Sequence, residues 1–300
     1  MSGFKSFLRR NWVLYAMISP AVALVFVFSY VPIYGLIIAF QDYQPVYGFN
    51  GSAFVGLKWF RSVLRMPDFG QIFFNTFIIA VAKILLNQIA AIFFALLLNE
   101  LKGTVYKRVI QTFSYLPYFL SWVVIGGVFI TLLSMDGAFN SILEFFGADR
   151  VFFLGSNSWF RPTVVITDVW KNYGWNSILY IAALSGINEE LYEAAVIDGA
   201  GRWKQTLYIT LPGISSTIVL LACLNLGGIL NAGFEQLLVL YNPAVYQTGD
   251  ILDTFVYRSG LVDAQFSLAT AVGLIKSLLG FAMILISYKL AEKYAGYIIF

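Results

Sequence analysis

Histidine is absent from this 300-residue chain, cysteine occurs once (Cys223), and only 12% of the residues carry charge. Each shortage excludes something. Without histidine and with a single thiol there is no ligand cluster for a metal such as zinc, no intramolecular disulfide and no Cys/His catalytic pair. No Gly-Lys dipeptide occurs, so the chain has no G-x-x-x-x-G-K-[S/T] phosphate-binding loop and is not expected to bind ATP itself. The shortage of charge says most, because a soluble domain averages about 25% charged and about 45–50% apolar residues. Here 59% are hydrophobic and 18% aromatic, with a mean hydropathy of +0.77. Such a chain cannot cover its surface in water, so a bilayer is its expected solvent. The net charge of +3 is too small to point to nucleic acid.

A transmembrane helix needs about 20 mostly apolar residues to cross about 30 Å of hydrocarbon. Between Arg10 and Asp42 there are 31 residues without formal charge, too long a run for a signal-peptide core. Hydropathy then predicts an all-α membrane protein with six transmembrane helices, at roughly 12–40, 71–98, 110–134, 162–186, 213–238 and 266–288. Placing the N-terminus inside puts ten basic residues in the cytoplasm (Lys5, Arg9, Arg10, Lys102, Lys107, Arg108, Arg202, Lys204, Lys289, Lys293). Six lie outside (Lys58, Arg61, Arg65, Arg150, Arg161, Arg258). The positive-inside rule therefore favours N-in, C-in. Residues 54–66 alternate Leu57, Phe60, Val63 and Leu64 with Lys58, Arg61 and Arg65, which predicts a short amphipathic helix on the outer interface. No repeat or separate soluble domain is evident, so residues 1–300 read as one transmembrane domain.

The loop 187–212 between the fourth and fifth helices departs from the rest of the chain. Between Asn188 and Lys204 it gathers Glu189, Glu190, Glu193 and Asp198 with two bases. Glu190 to Ile197 is a good helix segment, with Leu191, Ala194 and Ala195 able to form a compact face. Gly199 and Gly201 permit a sharp turn with positive φ. Trp203, Leu207, Ile209 and Leu211 supply a second apolar run, and Pro212 opens the next span, where its missing N–H costs little. A helix–turn–helix on the membrane face is expected, a knob that another protein could grip. Glu193 could instead cap or pair locally with Arg202.

The spacing E-A-A-x₃-G-x₉-I-x-L-P is filled by Glu193, Ala194, Ala195, Gly199, Ile209, Leu211 and Pro212. It resembles the signature loop of permease subunits in binding-protein-dependent ABC importers. The extension Asp198-Gly199-Ala200-Gly201-Arg202-Trp203 looks like the carbohydrate-uptake subgroup, the maltose and glycerol-phosphate type. Two further stretches, Ser114 to Trp122 and Phe234 to Tyr257 with Tyr241-Asn242-Pro243, look like its complex-oligosaccharide branch. The resemblance implies a type I importer permease fold in the cytoplasmic membrane of a prokaryote. It implies that Glu193, Ala194, Ala195, Asp198, Gly199, Arg202, Ile209, Leu211 and Pro212 belong to a coupling element that docks on a cytoplasmic ATPase subunit. It also implies a homologous second permease, two ATPase subunits that use ATP and Mg, an extracytoplasmic sugar-binding protein and a carbohydrate substrate. The chain itself would bind no cofactor and would be no enzyme.

Ionisable groups at membrane depth usually face a bundle interior or a water-filled cavity. Asp168, Lys171 and Trp175 fall at i, i+3 and i+7 on one face of the fourth span, where Asp168 and Lys171 could neutralise each other. Gly228, Asn231 and Glu235 form a similar stripe on the fifth span, Lys276 sits mid-span on the sixth, and Lys83 mid-span on the second. Sugars need planar polar groups for hydroxyls and aromatic faces for rings, so Asn231, Glu235, Tyr173 and Trp175, with Lys171 and Lys276, are the candidate pathway residues. Gly227-Gly228 could equally serve close helix packing. Three intramembrane lysines raise the question of an anionic substrate. The rival readings are a permease for a non-sugar solute, a secondary transporter, for which no inverted repeat is visible, and a membrane-embedded enzyme, for which paired catalytic acids are missing.

Overall fold

A computed structural model describes residues 11–101 and 103–295. Lys5, Arg9, Arg10 and Lys102, and the side chain of Lys293, lie outside the described residues, so half of the ten expected inner bases have no described placement. The chain divides into two compact units, residues 1–65 with 256–274, and residues 66–255 with 275–300.

In the first unit, helix α1 (Trp12–Val25) runs through a wider π-type turn (Phe26–Tyr30) into a tighter 3-10 stretch (Val31–Phe40). Trp12–Phe40 is apolar all round and of membrane length, and no α1 residue is buried by the protein. Such a helix has lipid as its solvent. Past Phe40 the chain forms a two-residue antiparallel ribbon, a small departure from the all-helical expectation: β1 (Gln41–Asp42) pairs with β2 (Ala53–Phe54). The amphipathic segment forms α2 (Lys58–Arg65).

The second unit is built around α3 (Phe69–Glu100), whose 32 residues extend about 48 Å at 1.5 Å each. Its buried Ala91 and Ala95 let other helices approach closely, and they join a core with Tyr180, Leu184 and Ile214. A second core gathers Ile79, Ala80, Phe160, Val164, Leu237 and Leu240. The expected third span is not one helix. α4 (Thr104–Tyr115), extended by a 3-10 turn to Phe119, and α5 (Trp122–Leu132) meet at 100°. Pro117 lacks an N–H, Leu120 and Ser121 are both extended, and Ser121 Oγ caps the new helix by accepting from Val124 N–H at 3.4 Å.

The expected fourth span becomes α6 (Asn157–Asn176) and α7 (Ile178–Leu184). It is not among the membrane-length apolar helices, because α6 is too polar, with Arg161, Asp168 and Lys171 in 20 residues, and it buries Thr163, Thr167, Asp168 and Lys171. After α8 (Glu189–Ile197) and a short helical run from Arg202 to Gly213, α9 (Ser215–Leu226) begins with a 56° bend. The fifth span is also interrupted. Residues 227–233 leave the helix, Gly233 takes φ +90°, and α10 (Phe234–Leu240) starts afresh. Gly228, Asn231 and Glu235 therefore do not share one helical stripe. Helix α11 (Phe266–Ala295) closes the described chain. Among the described residues, three helices are long and apolar enough to cross a membrane, Trp12–Phe40, Phe69–Glu100 and Phe266–Leu290, or up to five if each bent pair is one span.

Candidate functional site

Two polar regions of the second unit stand out. In the 187–212 loop, Asn188 Oδ1 accepts from Glu190 N–H at 3.1 Å and starts α8, whose first turn carries Glu189 and Glu190 at the positive end of the helix dipole. Gly199 ends α8 at φ +76°, with the Ala200 N–H bonded back to the Ala195 carbonyl at 2.8 Å. Gly201 has φ −69°, so only one of the two expected glycines uses the left-handed region.

The inner side of this loop is fastened. Tyr192 Oη and Thr210 Oγ1 lie 2.9 Å apart, and Gln205 Nε2 donates to the Ala200 carbonyl at 2.8 Å. Arg202 does not pair with Glu193; its Nη1 donates to Glu100 Oε2 at 2.9 Å, tying the loop to the end of α3. Ala195, Ile209 and Leu211 are half-buried in this attachment. The outer side is bare: Glu193, Ala194, Asp198, Gly199 and Pro212 are exposed, as are Val196, Ile197 (87%) and Trp203 (79%). Val196, Ile197 and Trp203 are thus large exposed apolar groups within a charged loop, the kind of surface on which a partner can dock.

The second region is a buried knot between α3, α6 and the break before α10. Lys83 Nζ lies 3.3 Å from Asp168 Oδ1 and donates to the Ala232 carbonyl at 2.7 Å and to Gln236 Oε1. Gln236 Nε2 in turn donates to the Val164 carbonyl (2.8 Å) and Thr167 Oγ1 (2.9 Å), while Asn87 Nδ2 donates to Asp168 Oδ2 (2.8 Å). Asp168 thus pairs with Lys83 rather than with Lys171. Lys171 donates to the Tyr118 carbonyl at 2.8 Å and sits over the Tyr118 and Trp122 rings. A companion knot holds Asn75, which donates to the Asp250 carbonyl (2.9 Å) and accepts from Arg161 Nη2 (2.5 Å).

The expected pathway residues divide into two groups. Trp175 stacks on Tyr118 at 4.5 Å and 4°, beside Phe119, and Tyr173 donates to Ser114 Oγ at 3.3 Å. Lys276 pairs with Asp253 at 2.6 Å and donates to Asn231 Oδ1 at 3.1 Å, while Glu235 is exposed. Among the described residues no hydrogen bond, ion pair or ring contact joins the Trp175 group to the Asn231 group. Trp175 instead lines a cleft of about 470 Å³ with Asn87, Gln88, Asn176, Tyr180 and Asn225. Four amides and an indole suit hydroxyls and ring faces.

Sequence reasoning missed Gln236, Asn87 and Asn225. Gln236 neighbours the charged Glu235, and an unbroken helix aims the two residues differently from one that restarts at Gly233. Asn87 lies four residues after Lys83 on α3, a spacing that could have flagged it.

Comparison with known proteins supplies the context. A family model described as binding-protein-dependent transport system inner membrane component matches residues 87–295. The polygalacturonan/rhamnogalacturonan transport system permease protein YteP of Bacillus subtilis (strain 168) is 40% identical over 94% of this chain and 88% of its own. Protein LplB of the same organism is 40% identical over 96% and 91%. Among solved structures, a chain of a bacterial ABC transporter involved in the import of the acidic polysaccharide alginate superposes with TM-score 0.88 and 36% identity, covering 97% of this chain and 99% of that one.

Proposed function

The chain belongs to the family of binding-protein-dependent transport system inner membrane components, and from that premise we propose how it works as the permease subunit of an ATP-driven carbohydrate importer. It is a multi-pass, mostly helical membrane protein with the type I importer permease fold, and its substrate is an oligosaccharide. The names of its relatives, for polygalacturonan, rhamnogalacturonan and alginate, favour a uronate-bearing chain over a non-sugar solute. Family membership also speaks against a secondary transporter.

In this reading six spans run N-in, C-in, the two bent pairs each counting as one and α6–α7 as the polar inner one. A homologous second permease completes the pathway, and an extracytoplasmic binding protein delivers the sugar. A related alginate transporter has been solved in complex with its pentasaccharide-bound periplasmic protein. Two ATPase subunits would use ATP and Mg, and this chain would contribute pathway and coupling. The carrying observation is the two-sidedness of the 187–212 loop, tied to α3 by Arg202–Glu100 on one side and presenting Val196, Ile197 and Trp203 on the other. Motion of a gripped ATPase would pass through these ties to α3 and α9, shifting the bundle between inward- and outward-facing states. The cleft at Trp175, lined by four amides and by the aliphatic Ile178, Leu179, Leu221 and Leu224, offers amide groups with which sugar hydroxyls can exchange partners.

Replacing Ile197 or Gly199 with Asp tests the coupling role. Both variants should insert in the membrane, yet ATPase co-purification and sugar uptake should fall about tenfold or more. Wild-type uptake in both would overturn it.

A further inference from the structure

Helix α2 carries Lys58, Arg61 and Arg65 at i, i+3 and i+7, a single cationic stripe. Its opposite side is held by the protein. Val63 is fully buried, the Phe60 ring meets Phe40 at 5.3 Å, and Trp59 Nε1–H donates to the Gln41 carbonyl at 2.9 Å. Phe40 ends the 29-residue apolar stretch Trp12–Phe40, so these contacts hold α2 at the end of a membrane-length segment. Lys58 has a half-exposed carboxylate partner, Asp42 at 3.4 Å. Arg61 and Arg65 have no ion pair or hydrogen-bond partner for their guanidinium groups among the described residues. The stripe borders an open cleft of about 440 Å³ lined by Val55, Leu57, Lys58, Arg61, Ser62 and Arg65. Directly beside the cations, Leu57 and Leu64 are 54% and 69% exposed.

We propose that this face of α2 binds an anionic phospholipid, with Arg61 and Arg65 on the phosphate and Leu57 and Leu64 against the first methylenes of its chains. The pairing of unpartnered guanidinium groups with bare leucines at the end of a membrane-length segment matches a molecule that is anionic at one end and apolar at the other. An acidic sugar would answer the arginines and leave the leucines in water. Basic amphipathic helices draw affinity from both terms, buried apolar area and attraction to anionic lipid.

The test uses the complete transporter in nanodiscs of phosphatidylcholine with a minor fraction of phosphatidylglycerol, and counts retained lipids by native mass spectrometry. The wild type should retain phosphatidylglycerol preferentially. R61Q/R65Q should lower that preference about tenfold or more, as expected for two charges beside an anionic surface, and R61K/R65K should keep most of it. Equal retention in wild type and R61Q/R65Q would overturn the proposal. So would a loss of oligogalacturonate uptake by R61Q/R65Q in liposomes of phosphatidylcholine alone, since the stripe would then face substrate.

Discussion

The 187–212 loop and the Lys83 knot are both polar, both lie in one unit and both depend on a glycine with positive φ, yet they are organised in opposite ways. The loop takes its form from neighbours in sequence: an Asn cap, a nine-residue helix and a glycine stop. Much of it is exposed, Val196, Ile197 and Trp203 included, while Tyr192, Thr210 and Arg202 hold its inner side. The knot takes its form from residues 69 to 153 positions apart, buried except for the part-buried Asn87, with each hydrogen-bonding group answered by another. A local motif can be exposed and still specific because its backbone is self-supporting. A buried polar cluster in a low-dielectric bundle has to be complete, since each unanswered group there is costly. Changes in the knot should therefore read out as folding, and changes on the loop as coupling.

The largest expected effect comes from Lys83→Met. It leaves Asp168 with Asn87 but no cation in direct contact, and frees the Ala232 carbonyl at the helix break. Removing one partner of a buried pair costs about 3–5 kcal/mol, so the variant should accumulate poorly and unfold many degrees earlier in detergent. K83M/D168L should lose less than the two single changes summed, because the charges disappear together. Additive losses would show that the two residues act independently.

A second break in the knot's framework is steric. A methyl group on Gly174 would fall onto the Ser114 carbonyl, at the point where α6 passes α4. Backbone cannot give way as a flexible side chain can. Gly174→Ala should cost about 1–3 kcal/mol, measured as a lower unfolding temperature with ATPase binding retained. Unchanged stability would mean that α4 yields readily, and that the 100° bend after it is a joint rather than a fixed corner.

These contrasts explain what could be read from the sequence. The loop was legible because its information is local: E-A-A-x₃-G and I-x-L-P specify a turn and a resemblance at once. The long apolar helices were legible from composition. The breaks were not. Pro117 and Gly233 are visible as residues, but an apolar run of span length outweighs a single proline or glycine until the packing is known. Once α10 restarts at Gly233, the face carrying Asn231 and Glu235 no longer continues that of α9, and Gln236 takes the inward place. Partner choice among the ions was equally out of reach. Asp168 has Lys171 one turn away on its own helix, but α3 brings Lys83, 85 positions earlier, to 3.3 Å. Helical spacing names a possible partner, and only tertiary packing chooses among several.

The smallest change in stability should come from the tie that connects the loop to the bundle. Arg202 and Glu100 are substantially exposed, and such pairs contribute about 0.2–1 kcal/mol. Arg202→Glu should therefore barely move the unfolding temperature. If the pair transmits motion from the loop to α3, transport should suffer far more than stability, with sugar imported per ATP hydrolysed falling severalfold. R202E/E100R restores the pair with its polarity reversed, and should recover most of that ratio. Failure of the exchange, with the ATPase still bound, would assign Arg202 to the partner's surface instead. The loop would then be held by the Tyr192–Thr210 and Gln205–Ala200 bonds and its half-buried apolar residues, and the division between its held and bare sides would pass on the other side of Arg202.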